Sequence, residues 1–424
     1  MLRRPGGRRD VLREAVAGTA GIGVDSDPVS IADSAHQMKA GISAKQHVKS
    51  GIVAMHHMRA VGFLVVAAAL CVAASADFLA MWSPDEFHPS PALTRIDSLS
   101  RYCPSLRGTR ADTRIFVYEG AASGPTLLVL GGTHPNEPAG FMAATVLLEN
   151  IIIRTGRVFI IPQACASGFT CTDPLEGSPQ TFSLQTQSGK RIFRFGGRAA
   201  NVVDQWPDPL VYLHYPSGQQ LSGNETRNLN RAYPGRQDGS LTEQTAFAIV
   251  SLIREEHVDL AVDLHEAAPE IPIINAIVTH EKGRELAANA VLNLEFENLQ
   301  FALELSPANF HGLSHREWGD WTPVIPFLME TSNPIQGRLR GTTSEQLIVD
   351  GVDPWYLIAG RLGTMRITYD EAGESLSGRV GRHLQALRAL VDVYNEEHPD
   401  SALVLEGLPG YGELTARGVH QYLR

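Results

Sequence analysis

From residue 112 onward the chain alternates between short, uninterrupted apolar runs and longer stretches with helical spacing. A continuous apolar run of this length reads as a strand covered on both faces, and such strands belong to sheets sandwiched between helices. Runs at 114–119, 126–130, 158–162, 259–264, 273–279, 301–305 and 323–329 read as strands. Stretches at 138–151, 242–256, 281–298 and 377–397 read as helices, with Pro138 suited to a first helical turn and Thr242 to an N-cap. The order predicts one α/β domain over residues 112–400, a three-layer α/β/α arrangement around a mixed, largely parallel sheet. A loop-rich insert with short hairpins interrupts it at 166–226. Residues 77–111 read as a linker and 401–424 as a polar tail. A chain of 424 residues with 43% hydrophobic composition can bury the core this requires.

The N-terminal region has a different character. Residues 60–76, AVGFLVVAAALCVAASA, carry no charge, follow Arg59, and end in the small residues Ala74, Ser75 and Ala76 of an A-x-A cleavage pattern. Residues 55–76 therefore read as a secretory signal starting at Met55 or Met58. The alternative is an anchor, because the apolar residues up to Trp82 lengthen the segment to 60–82, enough to span a bilayer. Either reading places the protein in the periplasm, outside the cell, or on a membrane facing outward. Residues 1–54 read as a disordered leader or an upstream extension of the reading frame. The glycines of GTAGIG at 18–23 follow no strand and do not make a phosphate loop. The formal charge is −10, and the first 76 residues hold nine basic against five acidic side chains, so the rest is more acidic still. That excludes a nucleic-acid partner, which needs a basic face. Beyond the apolar segment stand Cys103, Cys165 and Cys171; Cys165 and Cys171 are the pair to expect in an exported protein, against three buried thiols.

Four polar signatures punctuate the strand ends. His134 and Glu137 lie three apart in GGTHPNEPAG, directly after the apolar run at 126–130, where Gly131 and Gly132 let the backbone bend. A metal site pairs two close ligands with a distant one, and catalytic zinc takes three protein ligands and leaves a fourth position open. His265 ends the apolar run AVDLH at the sheet edge where parallel sheets bind ligands, with Asp263 on the same face to orient it and Glu266 pointing away. Between them, Asn228, Asn230 and Arg231 precede a Pro-Gly turn, and an Arg fork beside an Asn donor suits a carboxylate. Glu330 ends the run VIPFLME, placing a lone carboxylate where a hydrolase needs a base. Taken singly, each motif also has a plain structural explanation. No G-x-S-x-G elbow points to a serine hydrolase.

The order HxxE, NR, strand-DxH, strand-ETxxP resembles the aspartoacylase and succinylglutamate desuccinylase family, which is related to the zinc carboxypeptidases. The resemblance covers roughly residues 112–335 and implies a zinc-carboxypeptidase-like fold. It implies one zinc per chain, held by His134, Glu137 and His265. Glu330 would serve as general base and acid, Asn230 and Arg231 would grip the substrate carboxylate, and Arg227 would approach the oxyanion. Asp263 and Asn228 would support the metal ligands. The substrate would be a small carboxylated N-acyl amino acid. Departures are Pro135, where the family has Gly, and Asn228, where it has Asp. The helical reading of 335–424 lacks the small β-barrel of the aspartoacylases and is closer to a carboxypeptidase ending, so a carboxypeptidase or amidase acting on peptides, including cell-wall peptide, is the alternative. A third reading is a carboxylate-binding protein that has lost catalysis. His311 and His315 read as loop histidines rather than ligands.

Overall fold

The structure, a computed structural model, describes residues 31–173 and 177–424; the GTAGIG stretch lies outside them. The chain forms two compact units, residues 1–72 and 73–424. Helix α1, Ile31–Ala80, fills the described part of the first unit and ends in the second. None of its 45 residues from His36 to Ala80 is buried, the most apolar stretch has a mean hydropathy of 2.2, and the helix is long and apolar enough to cross a membrane. Residues 31–54, expected to be disordered, are helical, because the run between Gly41 and Gly51 and its neighbours is rich in helix formers.

In the second unit, strands β1 (Leu93–Ser98), β2 (Arg114–Glu119), β3 (Ala122–Leu130) and β4 (Ile152–Ile161) surround helix α2 (Pro138–Asn150) in sequence. The insert holds two hairpins, β5 (Thr181–Thr186) with β6 (Gly189–Arg194) and β7 (Val211–Leu213) with β8 (Gln220–Ser222). There follow α3 (Leu241–Glu255), β9 (Leu260–Ala267), β10 (Ala276–Thr279), α4 (Arg284–Phe296), β11 (Ala302–Leu305), α5 (Ser314–Trp321) and β12 (Ile325–Ser332). The end of the chain is α6 (Glu345–Asp350), α7 (Pro354–Arg361), α8 (Leu376–Glu397), β13 (Val404–Glu406) and α9 (Tyr411–Arg417). The large sheet runs β1-β2-β4-β3-β9-β12-β10-β11, with β13 on β4. Its centre, β4-β3-β9-β12, is parallel, and the β1, β2, β10 and β13 pairings with their neighbours toward that centre are antiparallel. The fold is thus a mixed α/β/α sandwich.

Alternate residues of a strand face opposite layers. Leu260, Val262 and Leu264 of β9 pack with α2, α4 and α8, whereas Ala261 packs with α3 and α5. Asp263 and His265 share the parity of Ala261, and Glu266 that of Leu264. The core reaches into both flanks that the sequence leaves as connectors. In 77–111, β1 pairs with β2, and Leu99, Cys103 and Leu106 are buried. In 401–424, Leu403, Leu408, Leu414 and Val419 are buried. Their apolar residues are too sparse to show periodicity, and long-range packing decides their place. Helix α3 is capped by Ser240 in a reciprocal box with Glu243, not by Thr242, whose backbone and hydroxyl instead bond Gln205. Cys103, Cys165 and Cys171 form no disulfide; Cys165 and Cys171 flank a single 3₁₀ turn, and burial pushes their thiols up to about 12 and about 11.

One glycine sets the distance between α2 and β9. A Cβ on Gly140 would lie 2.2 Å from the Leu264 carbonyl oxygen. Gly140→Ala must push the helix off the strand, and we expect a loss of about 1–3 kcal/mol in denaturant unfolding. Because Glu137 heads that helix, the same variant should bind metal more weakly, measured by zinc titration.

Candidate metal centre

His134 and Glu137 sit in the turn from β3 into α2, and Glu137 occupies the N-cap position just before Pro138. Gly132 takes φ +66°, and a Cβ on Gly131 would lie 2.7 Å from the Gly140 carbonyl, so both positions need glycine. Pro135 is accommodated by glycines of the insert: a Cβ on Gly196 would meet its Cβ at 2.5 Å. His265 arrives from β9. The three side chains converge, all buried, with one ligand atom from each within 4.8 Å of the others. His134 Nδ1 lies 2.8 Å from Glu137 Oε1, His265 Nδ1 lies 2.9 Å from Glu137 Oε2, and the two Nδ1 atoms are 3.2 Å apart.

These spacings fit a cation. Zinc–nitrogen bonds of about 2.0–2.1 Å in tetrahedral geometry hold donors about 3.3 Å apart. The protonation pattern points the same way. His134 Nε2 faces Asn228 Oδ1 at 2.9 Å, and that oxygen already accepts from the Asn230 N–H, so it accepts from the imidazole too. Burial, then the Arg198 charge, push the ring down to about 4, so it is neutral, with the Nδ1 lone pair aimed at a carboxylate. Burial would raise Glu137, but the two imidazoles beside it, His134 and His265, overcome it and hold the carboxyl well below its usual range. Acceptor facing acceptor at 2.8 Å is stable only with positive charge between them. Burial would lower His265, but Asp263 and Glu137 outweigh it and raise the ring well above its usual value. In the metal-free protein a proton on His265 thus supplies part of the charge a cation would bring.

Asp263 and Asn228 both lie against imidazoles of the centre. Asp263 Oδ2 lies 2.9 Å from His265 Nε2, off the N–H axis, so the contact is mainly charge with charge. Thr133 donates to Asp263 Oδ1 at 2.7 Å. Asn228 is fixed by donating to Glu225 at 2.7 Å. Glu330 is in register with His265 on the neighbouring strand, hence on the same sheet face. The residue is half-buried, its Oε2 is buried without a hydrogen-bond partner, and desolvation pushes its carboxyl up to about 8, with His265 opposing and Glu137 adding.

Of the residues expected to meet substrate, Asn230 accepts from the Ser314 N–H at 2.8 Å through its side-chain oxygen. Arg231 is four-fifths buried, bonds the Asn230 carbonyl at 2.7 Å, and stacks over Phe310 at 5.2 Å. Arg227 does not join the group. It forms a bidentate pair with Asp208 at 2.7 and 2.9 Å and bonds the Ala200 carbonyl, because the insert folds a carboxylate against it. The arginine that does reach the centre is Arg198, 3.0 Å from Glu137 Oε1. The sequence shows it only as one Arg after a Gly-Gly pair in the insert. Gln336 also reaches Glu137, at 3.4 Å.

Two further histidines back the site. His315, expected in a loop, is buried in the first turn of α5 with neither ring nitrogen bonded, and burial pushes it down to about 3. His383 on α8 meets Thr331 at 3.2 Å, and burial, with the charges of His265 and Arg379, also pushes it down to about 3. A histidine whose folded value is depressed contributes stability that is whole above about 6.5 and is lost as pH falls toward 3. For the metal-free protein, His383→Gln should therefore gain on the wild type by about 2 kcal/mol between pH 7 and 5, read by urea unfolding at both.

No protein-family model and no curated protein matches the chain. Among solved structures, a succinylglutamate desuccinylase from Silicibacter sp. aligns at 18% identity and a TM-score of 0.33, over 54% of this chain and 55% of that one. An aspartoacylase family protein from Mesorhizobium loti aligns at 22% and 0.32, over 52% and 56%. The cell shape determinant protein Csd4 from Helicobacter pylori aligns at 12% and 0.42, over 72% and 59%. The chain thus spans little more than half the length of these structures. It is similar in structure to succinylglutamate desuccinylase and aspartoacylase family proteins and to Csd4.

Proposed function

We propose that this chain is a zinc-dependent hydrolase that cleaves an amide bond next to a carboxylate. The observation that carries the reading is the convergence of His134, Glu137 and His265, with their lone pairs turned on one point, beside the buried carboxyl of Glu330. Those three residues would hold the metal, and Asn228 and Asp263 would fix the two imidazole rings. When bound, zinc supplies a Lewis acid and lowers the pKa of a water toward about 7. Glu330 takes the proton of the attacking water and returns it to the leaving nitrogen. Its lack of a hydrogen-bond partner suits a group that must change protonation state during turnover. Arg198 stands where a cation can face the developing oxyanion, the role expected of Arg227. Arg231 and Asn230 bind the substrate carboxylate, and no hydrogen bond within the described residues engages the Asn230 side-chain nitrogen Nδ2, its oxygen being taken by the Ser314 N–H.

N-acyl amino acids are the first substrate class. Peptides are the second, because residues beyond 335 form helices α6 to α9 rather than a small β-barrel. The test is a panel of N-acyl amino acids and short peptides assayed with zinc, each with a free or methylated carboxylate. Hydrolysis of the free acids, a loss on methylation, and a raised KM in Arg231→Ala support the proposal. Equal rates on methylated compounds remove the carboxylate from it, and no turnover on any compound removes the hydrolase. We also propose that the protein is exported and held at a membrane by α1, on the strength of its apolar, unburied length.

A further inference from the structure

The insert contains a segment folded inside out. Between residues 201 and 210 the polar side chains turn inward and are satisfied. Asn201 bonds Thr170 at 2.8 Å, and Asp204 accepts from Ser167 at 2.6 Å. Gln205 bonds Thr242 and the Thr226 carbonyl, and Asp208 takes both arms of Arg227. The apolar side chains between them point to solvent: Val203 is 69% exposed, Trp206 73% and Leu210 100%. The inward bonds fix the segment, so this exposure is built in. Apolar side chains held facing water within one short ordered segment mark a surface meant to be covered.

A second observation says by what. Helix α1 ends at Ala80, and Trp82 follows it. The Trp82 ring, 47% exposed, lies under the Arg110 guanidinium at 4.2 Å, and Arg110 pairs with Asp204 at 2.5 Å. One arginine therefore joins the residue that follows the apolar helix to the inverted segment. All of these residues belong to the second unit. Tryptophans beside a spanning helix take up the lipid–water interface, and apolar side chains on such a surface enter it to shallow depth.

We propose that Trp82, Val203, Trp206 and Leu210 form a surface that rests on the lipid bilayer crossed by α1. This rests on the reading of α1 as a membrane anchor. It places the insert that supplies Arg198, and with it the cleft, close to the membrane plane.

The test uses the full chain reconstituted into phosphatidylcholine vesicles whose acyl chains carry bromine, which quenches nearby tryptophan. Vesicle flotation after an alkaline wash reports the anchor separately. The expected result is flotation, with bromine quenching that falls in part in Trp206→Phe and in part when Leu210→Ser lifts the segment, the remainder belonging to Trp82 beside α1. Flotation with the same quenching in wild type and Trp206→Phe overturns the surface and leaves the anchor standing. Failure to float overturns both. A Trp206→Ser variant that shifts KM for long-acyl substrates in detergent, with quenching unchanged, assigns the segment to the substrate cleft and overturns the proposal.

Discussion

Glu330→Gln is expected to retain metal and lose turnover by about 10²–10⁴-fold, the range for removing a positioned proton carrier. The amide keeps the size and can still accept a hydrogen bond, but it cannot take the proton of the attacking water. The variant should also be more stable than the wild type when metal is stripped. Burial pushes the folded carboxyl up to about 8, against about 4.5 when unfolded. Such a group contributes stability below 4.5 and loses it as pH rises toward 8. At pH 7.5 the wild type therefore carries a penalty on the order of 4 kcal/mol that glutamine removes. Loss of activity with a gain in stability is the mark of a residue kept for chemistry. Full activity in the variant would remove Glu330 from the mechanism, and a fall in stability would mean that its carboxyl is structurally satisfied.

Arg379→Met is expected to cost about 3–5 kcal/mol. Arg379 on α8 donates to Glu266 Oε1 at 2.5 Å, and both side chains are fully buried. It also bonds the Ile348 and Glu374 carbonyls. Glu266 Oε2 accepts from the Ala139 N–H at 2.7 Å, so the pair ties α8 and β9 to the first turn of α2. Even with its partner, burial pushes the Glu266 carboxyl up to about 7, and without it the carboxylate would be stranded. Because the Glu266 N–H also donates to Glu137 Oε2 at 3.0 Å, loosening this tie should weaken metal binding as well. Adding Glu266→Gln to Arg379→Met should recover part of the stability, since the stranded charge is gone. Equal unfolding midpoints for wild type and Arg379→Met would show that the pair holds nothing together.

The centre of the molecule was legible because its signals are local. His134 and Glu137 share one tight turn, and His265 and Glu330 each end an apolar run; alternation along a strand then fixes their faces. The same parity explains why Glu266 points to α8 and His265 to the cleft. What was not legible depends on paths the sequence does not encode locally. Arg198 lies 61 residues beyond Glu137 and reaches it only through the route of the insert. Arg227 sits close to Arg231 in sequence, and Asp208 claims it from the far side of a hairpin. Leu403, Leu414 and Val419 read as scattered residues in a polar tail, yet they complete the layer made by α2 and α8. His383 and Arg379 lie one helical turn apart on α8, a spacing that marks a shared face and could have placed both against the sheet.

The most direct measurement is the metal content of the full chain purified without added zinc. The arrangement of His134, Glu137 and His265 predicts about one zinc per chain. His134→Ala and His265→Ala should each lose it, and Glu330→Gln should keep it. A wild-type protein that carries no metal and takes none up from added zinc, or alanine variants that bind it as well as the wild type, would contradict the assignment.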